Sequence, residues 1–192
     1  MNLTLSAVPP FDFDAVVRSH GWVQLPPLDY DRETQILRTV LRVKTNEKRG
    51  KIAAATIRPT PDDAATPGVV VTADLSDSAP NREAIARDVT WMLQLNHNLD
   101  EFYARATGDP HLAHVEFEAK GRILRSPTLF EDVVKTILTT NTSWGGTLRM
   151  TEALVAQLGS PLPEDSTRHA FPTPGEIAAV DEDFLREKTK LG

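Results

Sequence analysis

The chain has 192 residues, 40% of them hydrophobic and 25% charged, which fits one large globular domain or two small ones. The formal net charge of −6 excludes a uniformly basic nucleic-acid-binding surface, although a local basic patch can coexist with an acidic remainder. With no cysteine, no long apolar run and no basic, apolar N-terminal layout, the sequence excludes disulfides, cysteine-held metal and a transmembrane helix within these residues, and a cytoplasmic protein is expected.

Residues 2–8 alternate, with Leu3 and Leu5 on one face, and predict a short strand ended by Pro9 and Pro10. Asp12 or Asp14 can cap a short helix through Ala15, Val16 and Val17, which Gly21 ends. Residues 22–25, followed by Pro26 and Pro27, read as a loop or edge segment. Residues 35–43 predict a strand with Leu37, Thr39, Leu41 and Val43 on one face and Ile36, Arg38, Val40 and Arg42 on the other. A polar turn at residues 46–50 and a second strand at 51–58 complete a hairpin. A Pro-, Asp- and Ala-rich loop at 59–67 leads to a third, Val-rich strand at 68–75. The strand arginines are expected on a solvated sheet face.

From Asn81 the period changes. Ile85, Val89, Met92 and Leu93 define one helix face, and Leu99, Phe102, Tyr103 and Ala106 another, before a break at residues 107–110. Residues 121–159 then read as a buried helix, a polar turn and a second helix. Ser126 and Pro127 fit a cap and a first helical residue, and Thr128 with Glu131 fits a T-x-x-E capping box. Phe130, Val133, Val134, Ile137 and Leu138 follow the spacing of one apolar helix face. The run stops in Thr139, Thr140, Asn141, Thr142 and Ser143, whose short polar side chains compete for backbone hydrogen bonds. After Trp144, Gly145 and Gly146, a new face begins with Leu148, Thr151, Leu154, Val155 and Leu158, and Gly159 is a plausible stop. Thr173, Pro174 and Glu176 predict a further helix start, and Asp181 the cap of a last helix with Phe184 and Leu185. Strands followed by helices, without alternation, predict an α+β fold. Its parts are a small antiparallel β-sheet domain over residues 1–78 and an α-helical bundle over residues 79–192.

The polar corner at 139–143 is either a well-capped loop or a binding place. The Asn141 carboxamide donates and accepts at once, so it can read a base edge; its other reading is a cap for the next helix. Trp144 can stack on a base or anchor the core. Lys120, Arg122 and Arg125 can touch phosphates or form a solvated face offset by Glu116, Glu118, Glu131 and Asp132. His111 and His114 lack a third ligand at a suggestive spacing, so no metal is predicted, and no phosphate loop or dinucleotide motif calls for a cofactor.

Several of these stretches resemble, in order, the helix–hairpin–helix DNA glycosylases of the 3-methyladenine and 8-oxoguanine branch. The resemblance is carried by G-R-I-L-R at residues 121–125, by F-E-x-x-V-x-x-I-L at 130–138 and by the turn at Asn141. Met150, F-P-T-P at 171–174 and the P-P-F-D-F opening at 9–13 add to it. It implies a small sheet domain ahead of the helical one, and base excision from double-stranded DNA containing a damaged base. It further implies a monomer associated with the nucleoid, and a DNA-binding set of Thr140, Asn141, Thr142, Ser143, Trp144, Arg122 and Arg125. In the 8-oxoguanine enzymes the position matched by Asn141 carries an Asn beside the orphaned partner base; in the alkylation-repair enzymes it carries an apolar wedge. The hairpin, the catalytic Asp and the catalytic Lys of the 8-oxoguanine branch have no match in this chain. The resemblance therefore implies a truncated form without catalytic residues of its own. A non-catalytic DNA-binding or scaffold module, and an unrelated α+β protein with a plain cap at Asn141, are the rival readings.

Overall fold

The structure is a computed structural model that describes residues 1–45 and 50–191. The polar turn expected at 46–50 lies outside them, Gly50 excepted. Five strands, β1 (Asn2–Ser6), β2 (Asp29–Asp31), β3 (Ile36–Val43), β4 (Lys51–Pro59) and β5 (Gly68–Ala73), form an antiparallel sheet in the order β1-β5-β4-β3-β2. The period-2 pattern of β3 sends Leu37, Leu41 and Val43 into a core shared with Ala53, Ile57, Val69 and Val71. The edge strand β2 was not expected, because Asp-Tyr-Asp carries no apolar run. It exists through its register on β3, Tyr30 opposite Leu37.

The helix α1 (Phe13–Val17) starts at Asp12, whose Oδ1 accepts from the Ala15 amide at 2.6 Å. Residues Gly21–Gln24 form a 3₁₀ turn where a loop or edge segment was expected; His20 Nδ1 accepts from the Trp22 amide and starts it. The helix α2 (Ala79–Leu93) lays Ile85, Val89, Met92 and Leu93 on the sheet, so the first core runs across residues 78–79. After α3 (Asp100–Ala106), whose Tyr103 packs with Leu99, Ala106 and Val115, comes the second half of the chain. It contains α4 (Leu129–Ile137), α5 (Trp144–Leu158), α6 (Pro174–Ala178) and α7 (Glu182–Thr189). Leu138, Leu154, Val155 and Phe171 form its core, with Phe130, Val134 and Leu185 against it. The fold class is α+β with an antiparallel sheet, as the change of period predicts.

The second face of β3 is not the solvated one expected. A short hairpin, β6 (Pro161–Leu162) and β7 (Asp165–His169), invisible in the sequence pattern, covers it. Val40 is buried there with Leu162 and Ala170. Arg42 donates through Nη2 to Ser160 Oγ at 2.8 Å and to both Glu176 oxygens at 2.9 and 3.1 Å. Glu176 also closes the expected capping box with Thr173, giving and taking one hydrogen bond. Arg38, nearer the β2 edge, stays at the surface, 3.7 Å from Asp29. Gly159 is needed where α5 meets this hairpin. A Cβ on it would run into the carbonyl oxygens of Ala170 and Val155.

Candidate nucleic-acid interface

The corner begins with α4, and α4 is not oriented as its apolar pattern suggests. Its cap is Thr128, whose Oγ1 accepts from the Glu131 amide at 3.2 Å, and not Ser126. The box is only half formed, because the Glu131 carboxylate turns inward to Lys135 Nζ at 2.6 Å. Lys135 is fully buried and also donates to Ser126 Oγ at 3.3 Å. Burial pushes the Glu131 carboxyl upward, and the adjacent ammonium opposes that shift. Val133 and Ile137, expected in the core, are 47% and 60% exposed. The buried arc is thus turned by roughly 80° from the apolar arc at 100° per residue. The reason is tertiary. Glu131 and Lys135 neutralise each other one turn apart and share Ser126, so their arc can be buried at tolerable desolvation cost.

The threonines end α4. Thr139 Oγ1 donates to Thr136 O, Thr140 Oγ1 to Ile137 O, both at 2.7 Å, and Thr147 Oγ1 to Leu138 O at 2.9 Å. The Thr136 and Ile137 carbonyls also accept from the Thr139 and Thr140 amides, at 3.1 and 3.0 Å, and the Thr147 hydroxyl takes the Leu138 carbonyl beyond them. Ser143 caps α5, accepting from the Gly146 amide at 3.2 Å. The Thr142 hydroxyl sits where a Cβ on Gly146 would lie, so only glycine allows this approach. Between these two capped ends Asn141 adopts φ +51°, a left-handed conformation that Asn tolerates better than most residues.

Asn141 does not cap α5; Ser143 does. Asn141 is exposed, and among the described residues its carboxamide makes no hydrogen bond. Beside it lies an open groove of about 590 Å³ with Ile137, Leu138 and Met150 as apolar lining and Arg149 and Lys190 as cations. No Asp or Glu lines it among the described residues, although the chain is acidic overall. Such a groove offers an amide for a base edge, an apolar floor and positive charge for phosphate. Sequence reasoning missed both cations. Arg149 is the sole cation of α5, a weak signal; nothing local marks Lys190, which the fold brings from the end of α7.

The other expected site residues divide. Thr140, Thr142 and Ser143 are exposed at the corner. Trp144 is half-exposed, its Nε1 donating to Gln24 Oε1 at 2.9 Å. Arg125 stacks its guanidinium over the Trp91 ring at 4.3 Å, away from the corner. Arg122 is a correction. It is 2% exposed and donates to four carbonyl oxygens, those of Val8, Pro10, Gln94 and His97, at 2.6–3.1 Å. With all its reach spent on backbone, it has no surface to offer a phosphate.

No family model matches the sequence, and no curated protein matches it. The fold, however, is that of DNA glycosylases. The whole chain matches the 3-methyladenine DNA glycosylase of Archaeoglobus fulgidus with a TM-score of 0.72 at 20% identity, covering 62% of that protein. It matches MBOgg1, solved with a low-affinity DNA ligand, at 0.69 and 16% identity, with 98% of this chain and 57% of that one covered. The 8-oxoguanine glycosylase/lyase of Clostridium acetobutylicum, in its apo form, gives 0.67 and 17%, with 98% and 58% covered. The chain therefore spans 57–62% of the length of these structures, and at such identities the shared property is the fold.

Proposed function

We propose that this chain serves DNA base-excision repair as the lesion-recognising part of an N-glycosylase acting on alkylated or oxidised bases in duplex DNA. The observation that carries the reading is the free Asn141 carboxamide, held out by a left-handed backbone beside a carboxylate-free groove flanked by Arg149 and Lys190. Extruding a base leaves a gap in the stack, and an amide on a rigid helical corner suits filling and reading it. Arg149 and Lys190 take the flanking phosphates. The partner is double-stranded DNA, met by a monomer in the cytoplasm at the nucleoid.

Cleavage of the sugar bond needs a carboxylate near the developing sugar cation. The groove has none among the described residues, so bond breaking is assigned to groups other than these. The same observation favours a second reading, a non-catalytic DNA-binding module of this fold. Two measurements test the proposal. Fluorescence anisotropy with an abasic-site duplex gives preferential binding over intact duplex. Asn141→Ala weakens the abasic complex about tenfold, and Arg149→Ala together with Lys190→Ala lowers the salt dependence of binding. No preference for abasic duplex in the wild-type protein rejects both readings. Release of an alkylated or oxidised base from duplex distinguishes the enzyme from the binding module.

A further inference from the structure

We propose that residues 19–24 are a positioning brace for the Asn141 corner, with Gly21 and Gln24 as its working residues. The inference rests on the DNA-recognition reading and adds to it a part of the chain that no base contact requires.

The segment lies between α1 and the sheet and touches the helical half at three points. At the first, Ser19 Oγ accepts from the Leu124 amide at 2.9 Å and His20 Nε2 pairs with Leu124 O at 2.7 Å. At the second, Trp22 Nε1 donates to Asp132 Oδ1 at 2.8 Å. The same oxygen takes the Ser126 amide at 2.9 Å, so the start of α4 is fixed there. At the third, Gln24 Oε1 accepts the Trp144 Nε1–H, and the six-membered ring of Trp144 comes so close to Gly21 that a Cβ there would lie 2.6 Å from two ring carbons. Trp144 is the first residue of α5, three positions beyond Asn141. The brace thus holds α4 at its beginning and α5 at its beginning, and the corner lies between those two holds. Its own footing is firm: Leu25 is fully buried, and Trp22 and Val23 pack against the sheet core.

Within the corner, the hydroxyl hydrogen bonds are local, spanning three positions from Thr139 and Thr140 and nine from Thr147, and fix the turn's shape but not its place relative to the rest of the molecule. The Trp144 contact supplies that placement from 120 residues away in sequence. A polar group that must enter a duplex depends on sub-ångström placement, since a shift of about 1 Å at a working group is enough for roughly hundredfold losses.

The test compares wild type, Gln24→Ala and Gly21→Ala by thermal unfolding and by anisotropy on matched abasic and intact duplexes. Gln24→Ala removes the tether without adding bulk, and Gly21→Ala pushes the indole away. Both are expected to melt within about 3 °C of wild type, as half-exposed substitutions do. Both are expected to lose about tenfold in the ratio of abasic to intact affinity while binding to intact duplex stays unchanged. A merely structural role would move the melting temperature and leave the ratio alone. Should Gly21→Ala fail to fold, Gln24→Ala decides by itself. A wild-type ratio in the variants overturns the brace and leaves the recognition reading standing; a wild-type protein with no preference for abasic duplex overturns that reading, and the brace with it.

Discussion

Single residues carry two opposite lessons. Asn141 is legible in the sequence because short polar side chains between two apolar helical faces predict a turn wherever the helices go. Arg122 is not legible, because a basic residue beside Lys120 and Arg125 looks solvated until the fold wraps four carbonyls around it. Its removal leaves those acceptors buried, so Arg122→Ala is expected to lower stability by about 3–5 kcal/mol. Arg122→Lys recovers little of this, because an ammonium cannot span the same fork. Urea unfolding checks both variants, and a loss under about 1 kcal/mol in Arg122→Ala would contradict the role.

At the scale of elements, α4 and the α6 cap give the sharpest tests. A buried ion pair contributes little net stability, but half of one is costly. Lys135→Met is expected to destabilise by about 3–5 kcal/mol, whereas Lys135→Met with Glu131→Leu together comes out near wild type. Equal losses in the single and double variants would refute mutual neutralisation as the reason this arc is buried. Glu176 makes a pH prediction. Partial burial works against its charge, but hydrogen bonds from Ser160 and Thr173 and the Arg42 guanidinium prevail and hold its carboxyl below the usual carboxylate range. The folded state therefore favours the charged form. Its contribution is complete above the unfolded carboxylate value and disappears as pH falls through the lower folded one. Glu176→Gln should flatten the acid limb of the stability curve and remove about 1 kcal/mol at neutral pH. Denaturant midpoints taken between about pH 3 and pH 7 measure this, and an unaltered acid limb counts against it.

For the molecule as a whole, the sheet depends on what lies beyond it in sequence. Ile85, Val89, Met92 and Leu93 of α2 are fully buried on it. At roughly 1.5–3 kcal/mol each they contribute about 6–12 kcal/mol, comparable to the net stability of an entire domain. Residues 1–78 alone are expected to stay unfolded by circular dichroism and amide exchange; a cooperative, protected sheet in that fragment would disprove this dependence. In the helical half, Leu129, Val133 and Ile137 form a stripe on α4 that is largely exposed.

Local chemistry was enough for the caps at Asp12, Thr173 and Asp181, the β3–β4 hairpin, the two helices around Asn141 and the α+β class, because caps and periodicity act within a few residues. Packing in the folded molecule decided which arc of α4 faces inward, that β6 and β7 cover β3, that Arg122 is spent on carbonyls, and that Arg149 and Lys190 meet beside Asn141. Those outcomes depend on burial and, for the β3 cover, Arg122 and Lys190, on partners more than a dozen residues away, and neither is encoded in the spacing of neighbouring side chains.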